Sequence, residues 1–281
     1  MVAAMESRMV QNGDVNLYLE VDGDGPTVLL LHGWPDTGVL WDEVAPELVR
    51  SGFRVAIPDL RGCGRSDKPE DLESYRVHRL VSDVVAIIEA LDVERVHLVG
   101  HDWGANLAWV TASYRGDLVD RLVPISVGHP TAFASAGLSQ QVKSWYMLLF
   151  HFDGLGEAFL RKDDYDAMHR WVRHPRTEQI IAELERDGQM RAHLMWYRAN
   201  VRPDIFVSPP PELPRIQSPT MGVWSSGDGA LGERQMTESG LFCDNGFTYL
   251  RLESFGHWIP LEAPSELSRA LIDFLADAPS V

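Results

Sequence analysis

Cysteine is nearly missing from this chain: only Cys63 and Cys243 occur in 281 residues. Two thiols cannot build a disulfide framework or a structural zinc site, and such sparing use points to a reducing compartment. Basic charge is scarce too, with 25 Lys and Arg against 41 Asp and Glu and a net charge of −16. A surface of that sign repels phosphate backbones and anionic lipid, which argues against nucleic-acid and membrane partners. No apolar run approaches the roughly 18 residues of a spanning helix. Residues 1–7 lack a basic segment leading into an apolar core, so no secretory leader is expected and the cytoplasm is the default location. Cofactor signatures are also wanting. The glycine-rich stretch Gly62-Cys63-Gly64-Arg65-Ser66-Asp67 lacks the last glycine and the opening helix of a dinucleotide fingerprint. His97 and His101 fall on a strand and a turn rather than on one helix face, so they do not read as a metal pair. No cofactor and no metal are expected.

The remaining composition, 45% hydrophobic and 23% charged, is that of an ordinary globular protein. The length suits one large α/β domain with an insertion, or two modest domains. Residues 9–22 read as two strands broken at Asn12-Gly13. Continuous apolar runs at 27–31, 54–58 and 96–99 have the character of strands buried on both faces. Helical patterns cover about residues 41–51 and 76–91, the second with Leu80, Val84, Ile87, Ile88 and Leu91 on one face. A further helix ends near Arg115, and a strand is expected at 119–127. Alternation of strand and helix predicts a mostly parallel sheet flanked by helices. It stops at 129–215, which is helical and aromatic-rich and closes on the stiff run Pro209-Pro210-Pro211. Strands resume at 220–224 and 247–252, and a last helix spans 264–276. The expected organisation is a core of residues 1–128 and 216–281 with a helical cap at 129–215.

The chemistry is concentrated at Gly100-His101-Asp102-Trp103-Gly104, between a strand and a helix. A G-x-nucleophile-x-G turn at that junction is a nucleophile elbow, and its glycines permit the sharp turn and the close helix packing. Asp102 stands where many hydrolytic enzymes carry serine. Asp228, in Ser226-Gly227-Asp228-Gly229, and His257, in Gly256-His257-Trp258, follow later strands. Nucleophile, acid, then histidine is the chain order of an α/β-hydrolase triad. Alone, Asp228 is turn chemistry and His257 a capped or surface histidine; together, downstream of an elbow, they read as catalytic. His32 reads as a loop-building residue.

An aspartate nucleophile narrows the reaction. Attack on an ester would give a mixed anhydride, whereas attack on an sp³ carbon gives an alkyl ester that water activated by His257 and Asp228 can hydrolyse. Epoxides and alkyl halides are substrates of that kind. Backbone N–H groups of Trp34 and Trp103 are the candidates for stabilising the oxyanion formed on Asp102. An epoxide also needs a proton donor for its alkoxide, and Tyr146 and Tyr197, each beside a tryptophan, are available. Periodicity leaves open whether these tyrosines are donors or core aromatics with a polar rim.

Nearly the whole chain resembles the soluble epoxide hydrolases of the α/β-hydrolase fold. The matching stretches include His32-Gly33-Trp34-Pro35, Gly100-His101-Asp102-Trp103-Gly104-Ala105, Ser144-Trp145-Tyr146-Met147, Trp196-Tyr197-Arg198-Ala199 and Gly256-His257-Trp258. The resemblance implies that Tyr146 and Tyr197 bind the epoxide oxygen and that the peptide before Pro35 is cis. It departs from the family at Trp34 and Asp36, where phenylalanine and glutamate are usual, and at His151, where glutamine is. Haloalkane dehalogenases look similar, but many place asparagine at the position of Trp34, and some place an acid just after the strand that follows the elbow helix. No carboxylate lies between Val123 and Gly137. The expected activity is conversion of a hydrophobic epoxide to a vicinal diol by a monomer or homodimer, with dehalogenation and a non-catalytic ligand receptor as the rivals.

Overall fold

In Glu6–Asn12 (β1) and Val15–Asp22 (β2) apolar residues alternate with polar ones, and the two strands pair antiparallel. Asn12 pairs with Val15, so the turn residues are Gly13 and Asp14 rather than Asn12 and Gly13. Gly13 takes φ +60°, which glycine adopts without steric cost, and this places the turn one residue later than the sequence pattern suggests. Six further strands follow in the computed structural model, which describes residues 5–276 apart from positions 187 and 206. They are Thr27–Leu31 (β3), Arg54–Pro58 (β4), Val96–His101 (β5), Val119–Ile125 (β6), Thr220–Ser225 (β7) and Phe247–Leu252 (β8). The first four residues of the stretch read for a leader lie outside the described ones. No helix among the described residues is long and apolar enough to cross a membrane.

The eight strands form one sheet in the order β1-β2-β4-β3-β5-β6-β7-β8. β2 runs antiparallel to both its neighbours, and the other pairs are parallel. Leu31 pairs with Gly100 and Gly100 with Pro124, so β3, β5 and β6 end side by side. Ser225 pairs with Leu252 in the same way. Loops after β3, β5, β7 and β8 therefore open on one edge, where parallel sheets place their ligands.

Helices cover both faces. On one side Val28, Leu30, Val99 and Val223 pack with Leu48 of α1 (Ala45–Arg50) and with a C-terminal helix described below. On the other, Leu29, Leu31 and Leu98 pack with Leu80, Val84 and Ile87 of α2 (Val77–Ala90) and with Leu107 and Ala108 of α3 (Trp103–Tyr114). Helix α1 starts at Ala45 rather than near Trp41 because Pro46, which lacks an N–H, fits only the first turn. Among the described residues six α-helices lie between β6 and β7: α4 (Pro130–Ala134), α5 (Leu138–Lys143), α6 (Trp145–Phe150), α7 (Leu155–Ala167), α8 (Thr177–Leu184) and α9 (Gln189–Asn200). Then come α10 (Glu233–Thr237), α11 (Ile259–Glu262) and α12 (Pro264–Ala276), the last contributing Leu267 and Leu271 to the first face.

The tightest backbone approach is at the β5–α3 junction. A Cβ on Gly100 would collide with the carbonyl of Gly104, and one on Gly104 with the carbonyl of Leu31. Backbone cannot yield as a side-chain tip can, so Gly104→Val should destabilise the fold by more than about 3 kcal/mol. Urea denaturation of the variant checks this.

Candidate active site

Asp102 caps α3 at φ 54° and ψ −119°, a conformation rarely adopted by residues other than glycine. The close packing of Gly100 and Gly104 leaves the turn no gentler path, and it lifts the Asp102 side chain above the end of β5. Gly33 in the loop after β3 comes so near that a Cβ there would lie 2.6 Å from Asp102 Oδ1. Its neighbour Trp34 donates its backbone N–H to Asp102 Oδ1 at 2.8 Å. The Trp34–Pro35 peptide is cis. His32 holds this loop, donating from Nδ1 to the Gly33 carbonyl and accepting the Leu60 N–H at Nε2; both ring nitrogens are thereby used on backbone. Trp103 opens α3, and its ring stands edge-on to Trp196 and Tyr197 at 5.8 and 5.1 Å.

His257 lies between two carboxylates. Its Nδ1 is 2.8 Å from Asp228 Oδ2 and its Nε2 is 3.6 Å from Asp102 Oδ2, an ion-pair distance too long for a hydrogen bond. The other Asp228 oxygen accepts the N–H groups of Ala230 and Leu231, each at 2.8 Å. Burial alone would raise the Asp228 pKa, but His257 and these backbone donors hold it below the ordinary carboxylate range. Burial would likewise lower the His257 pKa; the charge of Asp228, followed by Asp102, instead holds it up at about 10. At neutral pH the imidazole is protonated. His101 donates from Nε2 to the His257 carbonyl at 2.9 Å, and burial together with the neighbouring imidazolium depresses its own pKa to about 4.

Tyr146 on α6 and Tyr197 on α9 bring side chains of the helical segment to the same cavity. Their ring centroids are 5.9 Å apart, and both rings line, with Asp102 and Trp103, a cavity of about 320 Å³. Burial, and then the nearby carboxylates or the partner phenol, pushes both phenols well above their ordinary pKa, so both stay protonated. All seven residues singled out in the sequence thus meet at one end of the sheet. No group of three or more His, Cys, Asp or Glu among the described residues is arranged to hold a metal ion.

Two connections were not apparent from the sequence. Asp36 is fully buried and accepts from His174 Nε2 at Oδ1 and from Trp258 Nε1 at Oδ2, both at 3.1 Å. It ties the helical segment to the residue beside His257. Helix α5 grips the Asp228 loop: Gln140 donates to Ala230 O and accepts from Gly232 N, while Lys143 donates to the carbonyls of Asp228 and Gly229. Gln140 showed no signal beyond being a polar residue in a helix, and only its burial to 3% exposure marks it out.

A family model described as the alpha/beta hydrolase fold matches residues 26–264. The chain is 30% identical to the AB hydrolase superfamily protein YfhM of Bacillus subtilis over 96% of its own length and 98% of that protein's. It is 29% identical to an epoxide hydrolase of Caballeronia sordidicola, covering 98% and 95% of the two chains. Among solved structures, a Bacillus megaterium epoxide hydrolase crystallised with an inhibitor superposes with a TM-score of 0.85 at 25% identity, over 96% of this chain and 100% of that one. The resemblance read from the motifs is borne out.

The electrostatics can be tested directly. Removing either negative charge lowers the pKa of His257, so Asp102→Asn should move it down from about 10 and Asp228→Asn should move it further, since Asp228 is the larger cause. An NMR titration of histidine-labelled protein reads both shifts. Because the folded pKa is raised, the stability that this histidine contributes is whole below about 6.5 and is lost as pH climbs through about 10.

Proposed function

The chain belongs to the alpha/beta hydrolase fold family, and we propose that within it the protein is an epoxide hydrolase, turning a hydrophobic epoxide into a vicinal diol through an ester on Asp102. One observation carries the reading: a carboxylate and two buried, protonated phenols line the same cavity. Epoxide opening requires a nucleophile and an acid on opposite sides of a carbon–oxygen bond, and these groups meet that need. That relatives of this length and likeness are named epoxide hydrolases supports it.

In this mechanism residues 1–128 and 216–281 form the core and residues 129–215 the cap that supplies the phenols. Asp102 Oδ2 attacks the less hindered epoxide carbon while Oδ1 stays on the Trp34 N–H. The carbon–oxygen bond breaks, and the alkoxide takes a proton from Tyr146 or Tyr197. Forming the ester removes the Asp102 charge. His257 then faces only one carboxylate, its pKa falls, and it gives up its proton, balancing the one the tyrosine lost. The neutral imidazole, oriented by Asp228, deprotonates a water that attacks the ester carbonyl carbon. The oxyanion at Oδ1 is met by the N–H groups of Trp34 and Trp103. Collapse releases the diol and restores the carboxylate. The charge on Asp102 thus serves twice, first as nucleophile and then, once spent, as the trigger that turns His257 into a base.

Offering an aryl glycidyl ether and a bromoalkane to the protein in one vessel should yield diol without free bromide; bromide without diol would overturn the role of the tyrosines in favour of dehalogenation. Asp102→Ala should abolish diol formation, and persistence of the activity would refute the mechanism. His257→Gln should accumulate the ester, seen as an intact-protein mass increased by that of the substrate. Tyr146→Phe and Tyr197→Phe should each slow formation of that ester by about 100-fold, measured by rapid quench.

A further inference from the structure

The cavity that holds Asp102 does not stop at the reacting groups. It follows one face of α3 past Asn106 and Val110 to Tyr114, about 18 Å along the helix axis. Apart from Asp102, no ionised side chain lines it among the described residues. Two amides do, Asn106 and Asn200. That of Asn200 is committed to the fold, since it donates to the carbonyls of Tyr75 and Trp196 and accepts the Val77 N–H. The Asn106 side chain, by contrast, makes no hydrogen bond with any described residue. Its backbone N–H bonds to the Asp102 carbonyl, so its Cα stands about one turn, roughly 5.4 Å, further along the wall than that of Asp102, and a helical side chain leans back toward the N-terminus, here toward the reacting end of the cavity.

A polar group with no protein partner, set in a mostly apolar wall, offers its hydrogen bonds to whatever fills the cavity. An atom three bonds from the attacked carbon lies about 3.8 Å from it, which brings an acceptor there within reach of the amide. We propose that the substrates are uncharged, elongated epoxides with an ether oxygen three bonds from the attacked carbon, glycidyl ethers in chemical class, and that Asn106 selects them by donating to that oxygen. The inference rests on the epoxide hydrolase reading. It makes Asn106 a specificity residue, and it excludes epoxides carrying a carboxylate, for which the wall provides no cation.

The test compares phenyl glycidyl ether with its methylene isostere, 4-phenyl-1,2-epoxybutane, by kcat/KM for diol formation. Wild-type protein should favour the ether about fivefold, the worth of one ordinary hydrogen bond, and Asn106→Leu should bring the ratio close to one. A general loss of structure would lower both rates together and leave the ratio standing. An equal ratio in the two proteins, or no preference in the wild type, overturns the role of Asn106 while the diol itself upholds the hydrolase reading. No diol from either epoxide with wild-type protein overturns both. In a parallel pair, 4-glycidyloxybenzoate should react at least tenfold less efficiently than its methyl ester, and equal efficiency overturns the exclusion of anions.

Discussion

Everything at this site depends on one imidazolium held between two buried carboxylates. Each of the three groups would be costly to bury alone, and each is tolerable because the other two are there. The fold meets the remaining demand by supplying hydrogen bonds to the outer oxygens: the Trp34 N–H on Asp102, and the Ala230 and Leu231 N–H groups on Asp228. These donors come from the loops after β3 and β7 and Asp102 follows β5, so the arrangement requires the parallel register that ends β3, β5 and β7 on a common edge. The turn at Asp102 is strained for the same reason. Only a side chain raised clear of the strand can face His257 and the cavity together.

Much of this was legible in the sequence because it is encoded locally. The glycines at 100 and 104 mark the elbow whatever surrounds them, and continuous apolar runs mark strands buried on both faces. Where local pattern misplaced an element, a local steric rule explains the difference: Gly13 draws the first turn one residue along, and Pro46 delays the start of α1. The last helix begins at Pro264, where the sequence pattern starts it.

What could not be read are contacts between distant segments. Asp36 and His174 are 138 residues apart, and neither sits in a motif that names the other. Gln140 meets the Asp228 loop 92 residues away at Gly232. The free amide of Asn106 is still less legible. Its significance lies in a missing partner, which only the folded chain reveals, and the neighbouring Asn200 shows how readily the same side chain is absorbed by backbone.

The grip of α5 on the Asp228 loop bears on how such proteins diversify. A segment inserted between two strands is easily imagined as a module, exchanged or lengthened while the sheet beneath keeps its chemistry. Here Gln140 and Lys143 reach across the junction to the peptide units around the acid itself. A transplanted segment lacking those two side chains would leave Gly232 N and the carbonyls of residues 228–230 in search of new partners, and the acid would drift with them. Recombination between relatives should therefore preserve the first helices of the insertion with the core that received them, and vary the rest.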